Sequence, residues 1–133
     1  MEQTFTLTES GFQMEASAQF VGADLLIVLT GGSHPHIGTV TTYCKETADK
    51  QTTRFPSHSG RFHKDDVLAD VILEAIVALL PQNATITSGI HVDGITKEQI
   101  QASFGMAQHL GQQIADWLQT ISFDADKPTY YKK

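Results

Sequence analysis

The sequence has 133 residues, 41% of them hydrophobic and 18% charged, so we expect one globular domain and exclude a disordered chain or a coiled coil. The net charge of −6 argues against general binding to nucleic acid, whose affinity depends on cations. The single cysteine, Cys44, cannot form an internal disulfide, and we recognise neither a secretion signal nor a membrane-spanning stretch. We therefore expect a cytoplasmic protein that does not bind membranes.

The first half of the chain is predicted to form strands. Apolar and polar residues alternate over residues 13–20, which is typical of a strand with one buried face. After a turn at residues 21–24, the apolar run 25–29 predicts a central strand that is covered on both faces and forms a hairpin with the preceding strand. Residues 39–43 are β-branched and aromatic and predict a further strand, with residues 52–55 as its partner.

The second half changes to a helical period. Apolar residues recur every three or four positions over residues 66–80, which predicts an amphipathic helix that Pro81 ends. Residues 84–92 are predicted to form a strand, and Thr96 and Gln99 form a capping-box pattern at the start of a second helix. That helix is expected to bury one stripe of side chains: Ile100, Phe104, Ala107, Gly111, Ile114, Leu118 and Ile121.

This order of elements predicts an α+β fold, with a largely antiparallel sheet packed on one face by two helices. Residues 1–133 are expected to form a single domain, with residues 1–10 and 124–133 as flexible ends. Gly105 and Gly111 weaken the second helix, so we expect them to pack closely against the sheet.

The first segment that suggests chemistry is Thr30-Gly31-Gly32-Ser33-His34-Pro35-His36-Ile37-Gly38. Its three glycines allow a ligand to approach the backbone closely, and its N–H groups could hold an anion. In an extended chain His34 and His36 lie on the same side and could bind one metal ion or one ligand. A glycine-rich hairpin with two exposed histidines explains the same pattern without a ligand.

The second segment is positively charged. Between residues 50 and 64 the chain carries no acid and six basic or imidazole side chains: Lys50, Arg54, His58, Arg61, His63 and Lys64. The segment leads into the first predicted helix, whose N-terminal N–H groups favour phosphate. Arg61, His63 and Lys64 are therefore candidates for binding an anion. A solvated loop is the alternative, and Asp65 and Asp66 could stabilise the helix dipole themselves.

The third segment is Gly89-Ile90-His91-Val92-Asp93-Gly94, at the end of a predicted strand. His91 and Asp93 are two residues apart and share one side of an extended chain. Together with His36 and His63 they could bind a divalent metal such as manganese, iron or zinc. The alternative is a histidine hydrogen-bonded to its neighbouring carboxylate beside a turn.

Taken together, the segments TGGSHPHIGTV, FHKDDVLA and SGIHVDGITKEQI resemble the LpdD-like family, the small D subunits of gallate-type decarboxylases, described as prenylated-flavin chaperones. The similarity covers the chain from about Gly11 to Ile121. The resemblance implies a protein that is not an enzyme. It would bind prenylated FMN, made by a UbiX-like flavin prenyltransferase, and assist its delivery to a UbiD-like decarboxylase of phenolic acids.

Residue chemistry and resemblance together give ten candidate cofactor-binding residues: Gly31, Gly32, His34, His36, Gly38, Arg61, His63, Lys64, His91 and Asp93. Four of these are candidate metal ligands: His36, His63, His91 and Asp93. One small domain offers little pocket, so we expect a homo-oligomer with the cofactor between subunits. Two alternatives stay open, namely a small metal-dependent enzyme with a His/Asp site and a non-catalytic decarboxylase subunit whose loops bind a partner protein.

Overall fold

A computed structural model describes residues 1–57, 65–123 and 129–130. These residues form six strands and two α-helices, and a short 3-10 helix, Val77–Leu79, follows the first α-helix. In chain order the elements are β1 (Glu2–Glu9), β2 (Phe12–Val21), β3 (Asp24–Gly32), β4 (Thr39–Cys44), β5 (Asp49–Arg54), α1 (Asp66–Ile76), β6 (Ala84–His91) and α2 (Lys97–Gln119). The predicted α+β class is confirmed.

The six strands form one sheet in the order β1-β2-β3-β6-β4-β5. Strands β3 and β6 are parallel, and every other neighbouring pair is antiparallel. The predicted hairpin of β2 and β3 is present, with Val21 paired with Asp24 at its turn. Strand β6 comes late in the chain but lies in the middle of the sheet, between β3 and β4.

The hydrophobic core lies between one face of the sheet and the two helices. Alternate residues of β2, β3 and β6 point into it because successive side chains of a strand point to opposite faces. Its largest fully buried side chains include Met14, Leu25, Ile27, Leu29, Ile86, Ile72, Ile76, Met106, Leu110 and Ile114. The expectation that the apolar run 25–29 is covered on both faces is wrong for this chain, since Leu26 and Val28 point away from the helices and are only partly buried.

The N-terminal segment differs from its prediction. We expected residues 1–10 to be a flexible end, but β1 pairs with β2 along its whole length, from Glu2 opposite Gln19 to Glu9 opposite Phe12. Phe5 and Leu7 pack against the core from this edge strand. The predicted flexible end at residues 124–133 lies outside the described residues except for residues 129–130.

Helix α2 begins at the predicted capping box, with the Thr96 side chain accepting from the backbone N–H of Gln99. Its predicted stripe is wrong in the first turns, where Ile100 and Phe104 are 46% and 41% exposed. With 23 residues, α2 is about twice as long as α1, which has 11, so α1 covers only part of it. The buried side is completed by Ser103, Met106 and Leu110.

The two helix glycines have different surroundings. A Cβ on Gly111 would lie 3.0 Å from the Cβ of Ala75, so this glycine allows α2 to approach α1 closely. We had expected it to pack against the sheet instead. A Cβ on Gly105 would meet nothing within 4 Å, and the structure offers no explanation for this glycine. In the described part of the chain, neither helix combines the length and apolar character needed to cross a membrane.

Candidate functional site

The first and third motif segments meet at one end of the sheet. Because β3 and β6 are parallel neighbours, with Gly32 paired with His91, their carboxyl ends lie side by side. Residues 33–38 cross the end of β6 to reach β4, and the N–H of Ser33 donates to the carbonyl of His91 at 2.7 Å. The N–H of Gly38 donates to the carbonyl of Ser88 at 2.9 Å. We call residues 33–38 and 91–94 the histidine loops.

One carboxylate joins the two histidine loops. The Nε2 atom of His91 lies 2.9 Å from Oδ1 of Asp93, and the Nε2 atom of His34 lies 3.2 Å from Oδ2. The two imidazole rings are 5.4 Å apart between centroids. The hydrogen bond from His91, followed by that from His34, lowers the pKa of Asp93. All three side chains are more than half exposed, so this cluster faces solvent.

His36 points elsewhere. Its Nδ1 atom donates to the carbonyl of His34 at 2.9 Å, and its Nε2 atom lies 3.8 Å from a carboxylate oxygen of Asp65. Asp65 immediately precedes α1, so His36 connects the histidine loops to the end of the positively charged segment. The candidate anion-binding residues of that segment, Arg61, His63 and Lys64, lie outside the described residues.

Two glycines make the crossing of β6 possible. A Cβ on Gly89 would lie 1.7 Å from the carbonyl oxygen of His36. Gly32 has a φ of +79°, and a Cβ there would lie 2.1 Å from the carbonyl oxygen of His91. Both positions therefore require glycine so that two stretches of backbone can touch. Gly31 differs, because its missing Cβ faces Gln13 and the Met14 side chain.

Comparison with known proteins identifies the family of this chain. The family model of the prenylated flavin chaperone LpdD-like domain matches residues 8–119, which include both histidine loops. The chain belongs to this family. Protein LpdD of Lactiplantibacillus plantarum is 49% identical over 128 residues, covering 96% of this chain and 93% of LpdD. Family membership confirms the predicted resemblance and indicates a chaperone role in prenylated-flavin processing.

A solved structure shares the fold of this LpdD-like protein. It is a chain from the crystal structure of a novel chaperone complex for yeast 20S proteasome assembly, with a TM-score of 0.51 over 89% of this chain and 98% of that one. The two sequences are 12% identical, so the similarity concerns the fold alone.

The LpdD-like chain does not bring the four predicted metal ligands together as one set in its described part. His91 and Asp93 are in contact, but His36 faces Asp65 instead, and His63 lies outside the described residues. The expected sharing of one metal by His34 and His36 is also not seen, because His34 pairs with Asp93. Among the residues described, no group of three or more His, Cys, Asp or Glu side chains is placed to hold a metal ion.

The sequence analysis did not predict the contacts of several polar residues at this end of the sheet. The Ser33 hydroxyl accepts from the N–H of Asp93 at 3.4 Å, and Asp65 lies beside His36. The hydroxyls of Thr39 and Ser88, which are paired across β4 and β6, are buried and have no hydrogen-bond partner in the described ranges. Both are polar residues at positions of a strand that face the core. The sequence shows this only once it is known which face of the sheet each side chain points to.

Proposed function

We propose that this protein binds prenylated FMN at the histidine loops and delivers it to a UbiD-like decarboxylase, without catalysing a reaction itself. The observation that carries the proposal is the meeting of the histidine loops beside Asp65 in a chain of the prenylated-flavin chaperone family. Two segments that are more than 50 residues apart in sequence form one surface there. The ligand is a phosphate, a polar chain and a flat ring system, and the surface has groups suited to each.

The phosphate end of the ligand needs positive charge or N–H donors. The imidazole of His91 is more than half exposed and has a second ring nitrogen besides the one that contacts Asp93, and the positively charged segment with Arg61, His63 and Lys64 supplies the cations in this proposal. Asp66 at the start of α1 would repel a phosphate. However, its charge is compensated because Arg54 donates two hydrogen bonds to it, at 2.8 and 3.1 Å.

The ring system of the ligand needs apolar contacts. Ile37, within the histidine loops, is 54% exposed. Phe55 is 46% exposed and lies beside these loops, since its N–H donates to the carbonyl of Gly38. Exposed apolar side chains next to polar donors are typical of a binding surface for a flat, partly apolar ligand.

Binding is tested by mixing the protein with prenylated FMN under anaerobic conditions and separating the mixture by gel filtration. We expect flavin absorbance to elute with the wild-type protein and to fall at least about tenfold for His36→Ala and His91→Ala, as loss of a key polar contact typically causes. His109→Ala, an exposed histidine on α2, is the matched control and retains the flavin. Absence of flavin from the wild-type fractions would refute the proposal.

Delivery is tested with a UbiD-like decarboxylase prepared without its cofactor. We expect the flavin-loaded protein to activate the decarboxylase faster than the same concentration of free prenylated FMN does. The protein alone should not turn over phenolic acids. Turnover without a decarboxylase would contradict the chaperone role and favour a small metal-dependent enzyme.

A further inference from the structure

Three hydroxyl groups on the helix side of the sheet are buried without a hydrogen-bond partner among the described residues. They belong to Thr39 and Thr41 of β4 and to Ser88 of β6, whose side chains are 0%, 1% and 0% exposed. In a helix a threonine hydroxyl can donate to a carbonyl of the preceding turn, but a strand offers no such carbonyl, and the ladder between β4 and β6 already uses their backbone groups. Because a buried hydroxyl without a partner is unfavourable, these three groups require an additional ligand.

The groups next to these hydroxyls come from β5 and α1, and α1 packs on both β4 and β6. Thr39 is paired with Ser88 on one side and with Arg54 on the other, so the three residues form one row across the sheet. Arg54 donates two hydrogen bonds to Asp66, which is 4% exposed at the start of α1. Ala69 is buried nearly one helical turn after Asp66 and lies on the same side of α1. Small side chains therefore meet on both sides of the helix–sheet interface here.

We propose that an ordered water molecule binds between the first turn of α1 and the sheet, where it accepts hydrogen bonds from the hydroxyls of Thr39 and Ser88 and donates one to the carboxylate of Asp66. The Cβ atoms of residues paired across antiparallel strands are about 4.5–5.5 Å apart. One water can join two oxygens up to roughly 5.6 Å apart, since each hydrogen bond is about 2.8 Å long. A buried water typically makes about three such bonds to polar groups that lack other partners, which is the number available here.

The charges at this site favour water over an ion. Asp66 is already paired with Arg54, and the hydroxyl groups are neutral. A phosphate or a chloride would be repelled by the carboxylate of Asp66. A metal cation would add a charge for which the described residues offer no second fully buried acid. Asp66 can still accept from water, because a carboxylate has about four acceptor positions and Arg54 occupies two of them. Thr41, two residues from Thr39 on the same face of β4, extends the site to a second water.

The water site lies close to the histidine loops. The N–H of Gly38 donates to the carbonyl of Ser88, and a Cβ on the next residue, Gly89, would meet the backbone of His36. The water therefore joins β4 and β6 to the start of α1 near the point where residues 33–38 cross β6. This inference goes beyond the proposed flavin binding and does not depend on it, since it is argued from the core-facing hydroxyls alone.

Urea denaturation of Thr39→Val tests the site, because valine keeps the shape of threonine and removes only the hydroxyl. If water binds this hydroxyl, the variant leaves the water with one partner fewer, and we expect the equilibrium constant for unfolding to rise about fivefold to tenfold. A hydroxyl without a ligand predicts the opposite sign, since its removal relieves an unfavourable burial. Thr8→Val removes an exposed hydroxyl from β1 and is the matched control, which should change the constant by no more than about twofold.

Ser88→Ala tests whether the two hydroxyls share one ligand. We expect this substitution to raise the equilibrium constant for unfolding in the wild type, and to raise it at least about twofold less when Thr39→Val is already present, because the water has then lost its bridging position. Equal effects of Ser88→Ala in both proteins would contradict a shared water.

High-resolution crystallography of the wild-type protein locates the ligand directly. We expect electron density within about 2.6–3.2 Å of the hydroxyl oxygens of both Thr39 and Ser88, and its loss in Thr39→Val. A wild type without this density would overturn the proposal, as would a Thr39→Val variant that is at least as stable as the wild type. An anomalous signal at this position in crystals grown with rubidium chloride would identify a cation and also overturn it. Flavin binding is measured separately, so a protein that holds this water but binds no flavin refutes only the proposed function.

Discussion

At Gly89 a single hydrogen in place of a methyl group decides whether the histidine loops can form. Gly89→Ala would place a Cβ 1.7 Å from the carbonyl oxygen of His36, and this contact is with backbone, which cannot rotate away. We expect a loss of about 1–3 kcal/mol in the free energy of unfolding, as for other overpacked sites, together with weaker flavin binding. Thermal unfolding and anaerobic gel filtration measure the two effects.

Gly105→Ala is the matched control for this substitution. It adds the same methyl group where nothing lies within 4 Å, in the middle of α2. We expect it to stabilise the protein by about 0.5–1 kcal/mol, because alanine loses less conformational entropy than glycine in a helix. If Gly89→Ala is as stable as the wild type and binds flavin equally well, the close crossing is not required.

Asp93 joins the histidine loops, and its pKa reports this contact. The hydrogen bonds from His91 and His34 stabilise the ionised carboxylate and hold the pKa of Asp93 below its usual value of 3.8. A lowered folded-state pKa means that the contact stabilises the fold above pH 3.8 and that this contribution is lost as the pH falls through the lowered value. At neutral pH the Asp93 carboxylate is therefore ionised and can accept both hydrogen bonds.

Carboxyl-carbon NMR titration tests the two contacts separately. We expect His91→Ala to raise the pKa of Asp93 towards 3.8, and His34→Ala to raise it by less, because His91 is the larger cause of the shift. Gln112→Ala removes an exposed side chain of α2 that contacts Asp116 and should leave the titration of Asp93 unchanged. Equal titration curves in all four proteins would show that neither histidine holds Asp93 in solution.

At the scale of the elements, two ion pairs connect α1 to the edge strand β5, and they differ in how far their side chains are buried. Asp66 is buried and accepts two hydrogen bonds from Arg54, whereas Lys50 and Asp70 are both exposed. We expect Arg54→Ala to lower the free energy of unfolding by about 1–2 kcal/mol, because it leaves a buried carboxylate without its main partner. Because about half of the Arg54 side chain is exposed to solvent, we expect this loss of free energy to lie at the lower end of the range for breaking a buried ion pair. Urea denaturation measures it.

Lys50→Ala is the control for this pair and should cost no more than about 0.5 kcal/mol, since exposed ion pairs contribute little. The pH dependence of the free energy of unfolding provides a second test of the Arg54–Asp66 pair. Arg54 lowers the pKa of Asp66 below 3.8, so the difference between the wild type and Arg54→Ala should shrink as the pH falls through that lowered pKa. A difference that stays constant in acid would show that packing of the Arg54 side chain, and not its charge, stabilises α1.

The same elements show which structural features can be predicted from neighbouring residues in the sequence. The β2–β3 and β4–β5 hairpins, the start of α1 and the capping box of α2 are all features of neighbouring residues, and each was predicted close to its observed position. The β1–β2 hairpin was not predicted. The prediction for α2 was wrong at Ile100 and Phe104. Their helical spacing matched a buried stripe, but burial also needs a second element beside them, and α1 is too short to provide it.

At the scale of the whole molecule, the decisive feature is the insertion of β6 between β3 and β4. It places the ends of β3 and β6 next to each other and forces residues 33–38 across β6. Strand order is set by contacts between distant segments, whose cost and gain depend on the complete fold. The predicted convergence of the first and third motif segments is observed, while the second segment is described only at residues 50–57 and, just after it, at Asp65.

Periodicity, caps and the three motifs are properties of short stretches, and from them the amino-acid order alone determined the α+β class, most elements and the family. Tertiary structure decided that Asp93 pairs with His34 as well as His91, that His36 turns to Asp65, and that Leu26 and Val28 point away from the helices and are only partly buried. The physical reason is that a side chain's partner depends on which distant backbone lies next to it, and local hydrogen-bonding preference carries no information about that.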